Sequence, residues 1–178
     1  MTSEMKVCPQ CYQLYIEKDE CPKCGVELKT LDEFAQELDK QLEHRRGLHT
    51  LYVDPSYAET AKKETIMTYY NAYMTLLKAD HLNREKYLYG LAKTYDIFDK
   101  GHDYTYELDY TTFMNIMDRL LEFNPKRQEY LRLKVYYSYH NYRYEDVLKY
   151  VDRILEEEDD YEYAFYKEDS LKKIDRGQ

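Results

Sequence analysis

A helix is written twice in this chain, 34 residues apart, and that repeat limits the folds open to it. Met117-Asp118-Arg119-Leu120-Leu121-Glu122 returns as Val151-Asp152-Arg153-Ile154-Leu155-Glu156. The same offset aligns Tyr110 with Tyr144, Phe113 with Val147 and Pro125 with Asp159. A sustained period of this length signals stacked helix–turn–helix units. One such unit cannot bury its own apolar face. Neighbours must cover it, and the end helices need a polar outer side.

Punctuation along the chain places the other helices. Thr30-Leu31-Asp32-Glu33 reads as a capping box, with Thr30 as N-cap and Glu33 three residues on. Leu31, Phe34, Leu38 and Leu42 then form a narrow apolar stripe, and Gly47 is expected just past the helix end. A stripe this narrow needs a partner surface, either the repeats or another chain. Residues 47–54 read as a boundary. Pro55 opens the next helix at its first position, and that helix is expected to reach Asp80. Further helices are predicted over 84–98, 107–123, 125–139, 143–157 and 161–174. The stretch Lys100–Glu107 reads as an insertion on the surface. The predicted core holds Ile66, Met74, Leu88, Leu91, Ala92, Tyr95, Phe113, Met117, Leu120, Val147, Val151, Ile154 and Phe165.

The period and part of the consensus resemble tetratricopeptide (TPR) repeats, over about residues 85–174. Leu88, Leu91, Ala92 and Tyr95 have the spacing of that family's large, Leu, small and Tyr positions. Leu131, Lys134, Val135 and Ser138 match less well, since Lys134 stands where Leu is usual. Phe113 and Val147 are larger than the small residue usual in the second helix, which implies an altered helix spacing. The resemblance implies a concave surface made by the first helix of each unit. Carried over, its partner-binding positions are Lys86, Tyr89, Lys93 and Asp96, then Glu129, Arg132, Tyr136 and Tyr139, with Tyr163 and Tyr166 added by the last helix.

All 4 cysteines lie in the first 24 residues, as Cys8-Pro9-Gln10-Cys11 and Cys21-Pro22-Lys23-Cys24. Two residues between cysteines let both thiolates of a tight turn point at one ion. Two such turns supply the tetrahedral sulfur shell that Zn²⁺ prefers. Gly25 follows the last cysteine, where a positive φ is often required, whereas Tyr12 holds the equivalent place in the first turn and predicts a less regular one. Leu14 and Ile16 alternate with polar neighbours, as in a short hairpin arm. Residues 6–29 resemble a small zinc ribbon, which implies structural Zn²⁺ on Cys8, Cys11, Cys21 and Cys24. Two disulfides would need an oxidising compartment. A rubredoxin-like iron site separates its halves much farther, and a thioredoxin-like motif needs a βαβ setting.

Charge and motif content narrow the function. The net charge of −9 disfavours binding to a nucleic acid backbone, which rewards clustered Lys and Arg. No apolar run approaches a membrane span, and the amino-terminal residues lack a signal-peptide core. There is no P-loop, dinucleotide fingerprint, zincin motif or calcium loop. Tyr is abundant, at 23 residues with no Trp, and suits contacts that pack on one side and meet water on the other.

The expected architecture is mainly α: a TPR-like antiparallel array of about six helices over 55–178, preceded by a zinc ribbon at 1–29 and a linking helix and hinge at 30–54. The expected function is a non-enzymatic, cytoplasmic adaptor or regulator. Its helical array binds a protein or peptide, and the ribbon gives a second contact site. No direct nucleic acid binding and no membrane association are expected. The competing expectation is a regulator associated with nucleic-acid machinery, its ribbon touching transcription or translation components or its acidic surface occupying a nucleic-acid-binding site.

Overall fold

The computed structural model describes residues 4–48, 55–98 and 108–177; at 46–48 and 55–65 only the backbone is described. Residues 49–54 of the expected boundary, and the expected insertion at Lys100–Glu107, lie outside the described residues. Three short strands, β1 (Met5–Val7), β2 (Leu14–Ile16) and β3 (Lys29–Thr30), precede seven helices among the described residues. These are α1 (Leu31–Leu48), α2 (Pro55–Ala79), α3 (Arg84–Phe98), α4 (Tyr110–Phe123), α5 (Gln128–His140), α6 (Tyr144–Leu155) and α7 (Tyr161–Asp175). The molecule is therefore mainly helical, with a small sheet and a four-cysteine cluster ahead of the helices. It forms two compact units, Met1–Phe113 and Met114–Gln178, so the ribbon and α1 share the first unit with α2 and α3.

In the first unit the sheet runs in the order β2-β1-β3, both pairs antiparallel. β3 leads straight into α1 through the capping box. The Glu33 backbone N–H donates to Thr30 Oγ1 at 3.2 Å, and the Thr30 N–H donates back to Glu33 Oε2 at 3.0 Å. Two of the helix's orphan donors are thereby satisfied reciprocally. Gly47 does not end the helix; α1 runs through it to Leu48. The apolar stripe finds its partner within the unit. Phe34, Ala35, Leu38 and Leu42 are buried, and α1 packs on α3 and α2. Gly90 of α3 has a packing role. A Cβ there would lie 2.2 Å from the ring of Tyr73, which is itself buried between these helices. The absent side chain lets a whole tyrosine lie against the α3 backbone.

In the second unit α5 and α6 pack as one helix pair, and α6 and α7 as the next. The repeat seen in sequence is repeated in burial: Phe113, Met117 and Leu120 are buried in α4, as are Val147, Val151 and Ile154 in α6. Repeated Asp118 and Asp152 also take the same part. Each pairs with a lysine of the next helix, Asp118 with Lys134 at 2.7 Å and Asp152 with Lys167 at 2.6 Å. The Lys134 departure from the TPR pattern thus becomes intelligible. Its stem fills the Leu position while its ammonium reaches Asp118 and lies over the Tyr150 ring at 5.8 Å.

Three expectations need correction here. α5 begins at Gln128, not at 125, because Asn124–Arg127 form a turn closed by the Arg127 N–H on the Asn124 carbonyl at 3.3 Å. Pro125 sits inside that turn and stops α4 without opening α5. Phe165 is not core but 49% exposed, and Met74 is only half-buried. α6 follows α4 by 34 residues (Tyr144 against Tyr110), whereas the buried Tyr163, Tyr166 and Ser170 of α7 follow the buried Leu131, Lys134 and Ser138 of α5 by only 32. Two residues fewer turn a helix by about 200°. Phe165, 34 residues after Leu131, therefore turns out.

Candidate metal centre and binding faces

The two cysteine turns have the same backbone. Cys8 N–H donates to the Gln13 carbonyl at 3.0 Å and Tyr12 N–H to the Cys8 carbonyl at 2.9 Å. In the second turn Cys21 N–H donates to Val26 and Gly25 N–H to Cys21, both at 2.8 Å. Gly25 has φ +66° and Tyr12 has φ +58°, so the expected irregularity of the first turn is absent. A tyrosine in the left-handed region costs about 1–2 kcal/mol, and its side chain offsets this by packing. The ring sits 6.0 Å from that of Phe34, and the hydroxyl bonds Thr68 of α2. Tyr12 thus ties the ribbon to the helices of its own unit.

These matched turns gather the sulfurs. The four Sγ atoms all lie within 4.8 Å of one another, with Cys8 and Cys21 buried and Cys11 and Cys24 half-buried. Backbone N–H groups of Gln10 and Cys11 aim at the Cys8 sulfur, and those of Lys23 and Cys24 at the Cys21 sulfur. The Tyr15 hydroxyl adds a contact to Cys21 at 3.5 Å. Burial opposes ionisation of Cys21, but the Tyr15 hydroxyl and those N–H groups outweigh it and bring the thiol down to about 6. Burial and the neighbouring thiols push Cys24 up to about 12. Four thiols this close cannot all ionise unaided, and a cation at their centre removes that conflict. The donor set therefore fits a metal ion.

β2 is an edge strand, and Tyr15 is its inward residue. Leu14 is 36% exposed and Ile16 53% on the opposite side. The alternation expected of a hairpin arm is present, with the apolar pair facing out.

The candidate partner-binding residues fall into two groups, one in each unit. On α3, Lys86 pairs with Asp32 of α1 at 2.9 Å. Lys93 pairs with Asp39 at 3.1 Å and lies over the half-buried Tyr89 ring at 5.3 Å; its side chain is only 13% exposed. Tyr73 donates to the same Asp39 at 2.7 Å, and burial together with that carboxylate pushes its phenol far above the ordinary range. This face of α3 is occupied by α1. The signal was in the sequence: Asp32 and Asp39 are spaced like Lys86 and Lys93, two helical turns apart.

On α5, Arg132 reaches Asp160 and Glu158, each at 2.7 Å, and its guanidinium lies 4.9 Å over the Tyr163 ring. Asp160 is the N-cap of α7, accepting from the Glu162 and Tyr163 N–H groups. Arg132 therefore fastens α5 to the start of α7 and is not a free surface cation. Glu129 is exposed beside Arg127. Tyr136 is 38% exposed, packed 4.3 Å from the ring of His140. Tyr139 stacks on Tyr166 at 4.2 Å and donates to Asp169 at 2.9 Å. The aromatic surface continues through His140 and Phe165, which the sequence did not mark as part of a face.

No described helix is long and apolar enough to cross a membrane. No protein-family model, curated protein or solved structure matches the chain.

Proposed function

We propose that this chain is a non-enzymatic adaptor or regulator of the cytoplasm that binds a protein or peptide on the α5–α7 face of a TPR-like helical unit. One observation carries the reading. Tyr136, His140 and Phe165 stay open to solvent on a rigid bed of stacked rings, while the matching positions of α3 are closed by α1. Large rings held by their neighbours bind with little loss of side-chain entropy, which is why Tyr is enriched at recognition hot spots. In this reading Cys8, Cys11, Cys21 and Cys24 hold structural Zn²⁺. When bound, the ion cross-links the two turns, and a four-sulfur shell leaves no open position for catalysis. Tyr12 and the capping box then carry that rigidity into α1, keeping the α3 face covered.

A second reading has its own support. Leu14 and Ile16 form an exposed apolar pair on a strand whose outer edge is unpaired among the described residues, so the ribbon can dock on a component of nucleic-acid machinery. Affinity capture from native lysate, with and without nuclease, separates the two. Partners that resist nuclease, and are lost with Tyr136→Ala but kept with Leu14→Ser, support the peptide-binding reading. The reverse pattern supports the ribbon. Elemental analysis of protein purified without added metal is expected to give one zinc per chain; iron would sink the zinc assignment.

A further inference from the structure

We infer that the α5–α7 face takes a basic, arginine-bearing peptide; this rests on the peptide-binding role proposed for that face. The chain already contains one seat of this chemistry. The Arg132 guanidinium lies on the Tyr163 ring and is neutralised by two carboxylates, Asp160 and Glu158. One turn farther along α5 the same ingredients recur. The Tyr139 and Tyr166 rings stack there, flanked by Tyr136, His140 and Phe165. Two carboxylates stand at this cluster, Asp169 accepting from the Tyr139 hydroxyl and Glu162 from the Tyr166 hydroxyl.

At this second cluster the described donors to the carboxylates are the neutral hydroxyls of Tyr139 and Tyr166. Among the described residues no ammonium or guanidinium pairs with Glu162 or Asp169. Burial and the Asp169 carboxylate push the Tyr139 phenol up to about 12, and burial with Glu162 raises Tyr166 further, so both phenols stay protonated at neutral pH. Each carboxylate also draws on a phenol O–H, which enriches the ring face that a cation would meet. A guanidinium suits this surface better than an ammonium, because it can stack flat on a ring while its fork reaches a carboxylate. The net charge of −9 favours the approach of a basic segment.

The test uses the full chain and three peptides of equal length, alternating Gly with Arg, Lys or Glu. Calorimetry gives affinities near physiological salt, and amide chemical shifts locate the site. The expected result is tightest binding of the Arg peptide, with shifts centred on Tyr136, Tyr139, His140 and Phe165. The Glu162→Gln/Asp169→Asn variant keeps the acceptors without the charges. It is expected to lose about tenfold in affinity with an unchanged circular dichroism spectrum. Binding undiminished in that variant, with shifts gathered at Glu156–Asp160, would mean diffuse attraction to the acidic run and overturn the inference. Shifts on the aromatic face produced by the Glu peptide alone would overturn the basic ligand and leave the face as a peptide site. If no peptide moves those amides, the inference fails; a lysate partner still lost with Phe165→Ala would then keep the wider binding role.

Discussion

The faces of α3 and α5 begin from similar material and end differently. Each puts tyrosine and a basic residue at the positions that the TPR resemblance implies for a partner. On α3 that surface is filled from within the unit: α1 lays Asp32 and Asp39 against Lys86 and Lys93, and buries its own apolar stripe. On α5 the neighbour is α7, which engages Arg132 and Tyr139 but leaves Tyr136, His140 and Phe165 partly open. The difference teaches that positions implied by a repeat pattern are not in themselves a site. Availability depends on which helix packs there and in what rotational phase. On α3 the covering helix is amphipathic with matched charge spacing; on α5 the inward face of the covering helix comes two residues early in the repeat, and Phe165 turns outward.

Metal removal tests the covered face most severely. Metal binding supplies about 10–16 kcal/mol in zinc-finger peptides, and the ribbon here has only a small core of its own, centred on Cys8, Cys21 and Leu28. Chelation is expected to abolish hydrogen-exchange protection over β1–β3 and to weaken it in the first turns of α1, through Thr30 and Tyr12. α5–α7 should keep their protection. An equal loss in both units would erase the contrast.

Gly90→Ala attacks the same face from inside. The new methyl collides with a buried ring whose hydroxyl is tied to Asp39, so the Tyr73 ring cannot swing aside cheaply. Overpacking of this kind costs about 1–3 kcal/mol. Urea unfolding should show a lower midpoint with an unchanged slope. A neutral result would mean that α1, α2 and α3 are packed loosely enough to yield.

The ion pairs give the smallest effects and the sharpest contrast. Arg132→Ala removes two carboxylate partners and a ring contact, and is expected to cost about 1 kcal/mol. Lys86→Ala loses one pair to a largely exposed carboxylate, for about 0–0.5 kcal/mol. Equal costs would mean that Arg132 is an ordinary surface cation. Acid titration checks the same bridge. Its hydrogen bond from Arg132 holds the Asp160 carboxyl below the usual range. The stabilisation is therefore complete above the unfolded value, near about 3.9, and fades as pH falls through the lower folded one. Asp160→Asn should flatten stability in that acid window; an unchanged acid limb would assign the sensitivity to other carboxylates.

Much of this was legible along the chain. The 34-residue repeat gave α4 and α6 with the correct buried faces, because one helix's periodicity is a local property. Thr30 and Glu33 announced the start of α1, since a capping box is closed within three residues. The cysteine spacing announced the sulfur cluster, because each pair needs only one tight turn. What lay between segments was less readable. Tyr12 looked like a misfit, and only its contacts with Phe34 and Thr68 explain a tyrosine at positive φ. The phase of α7 turned on a two-residue change in the spacing of its buried face from that of α5, a change too small to notice in a repeat yet large in angle. The sequence by itself determined which residues share a side of each helix, since that follows from 3.6 residues per turn. Only the tertiary structure decided that α1 closes the α3 face and that α7 leaves part of the α5 face open, because those outcomes depend on contacts between segments far apart in the chain.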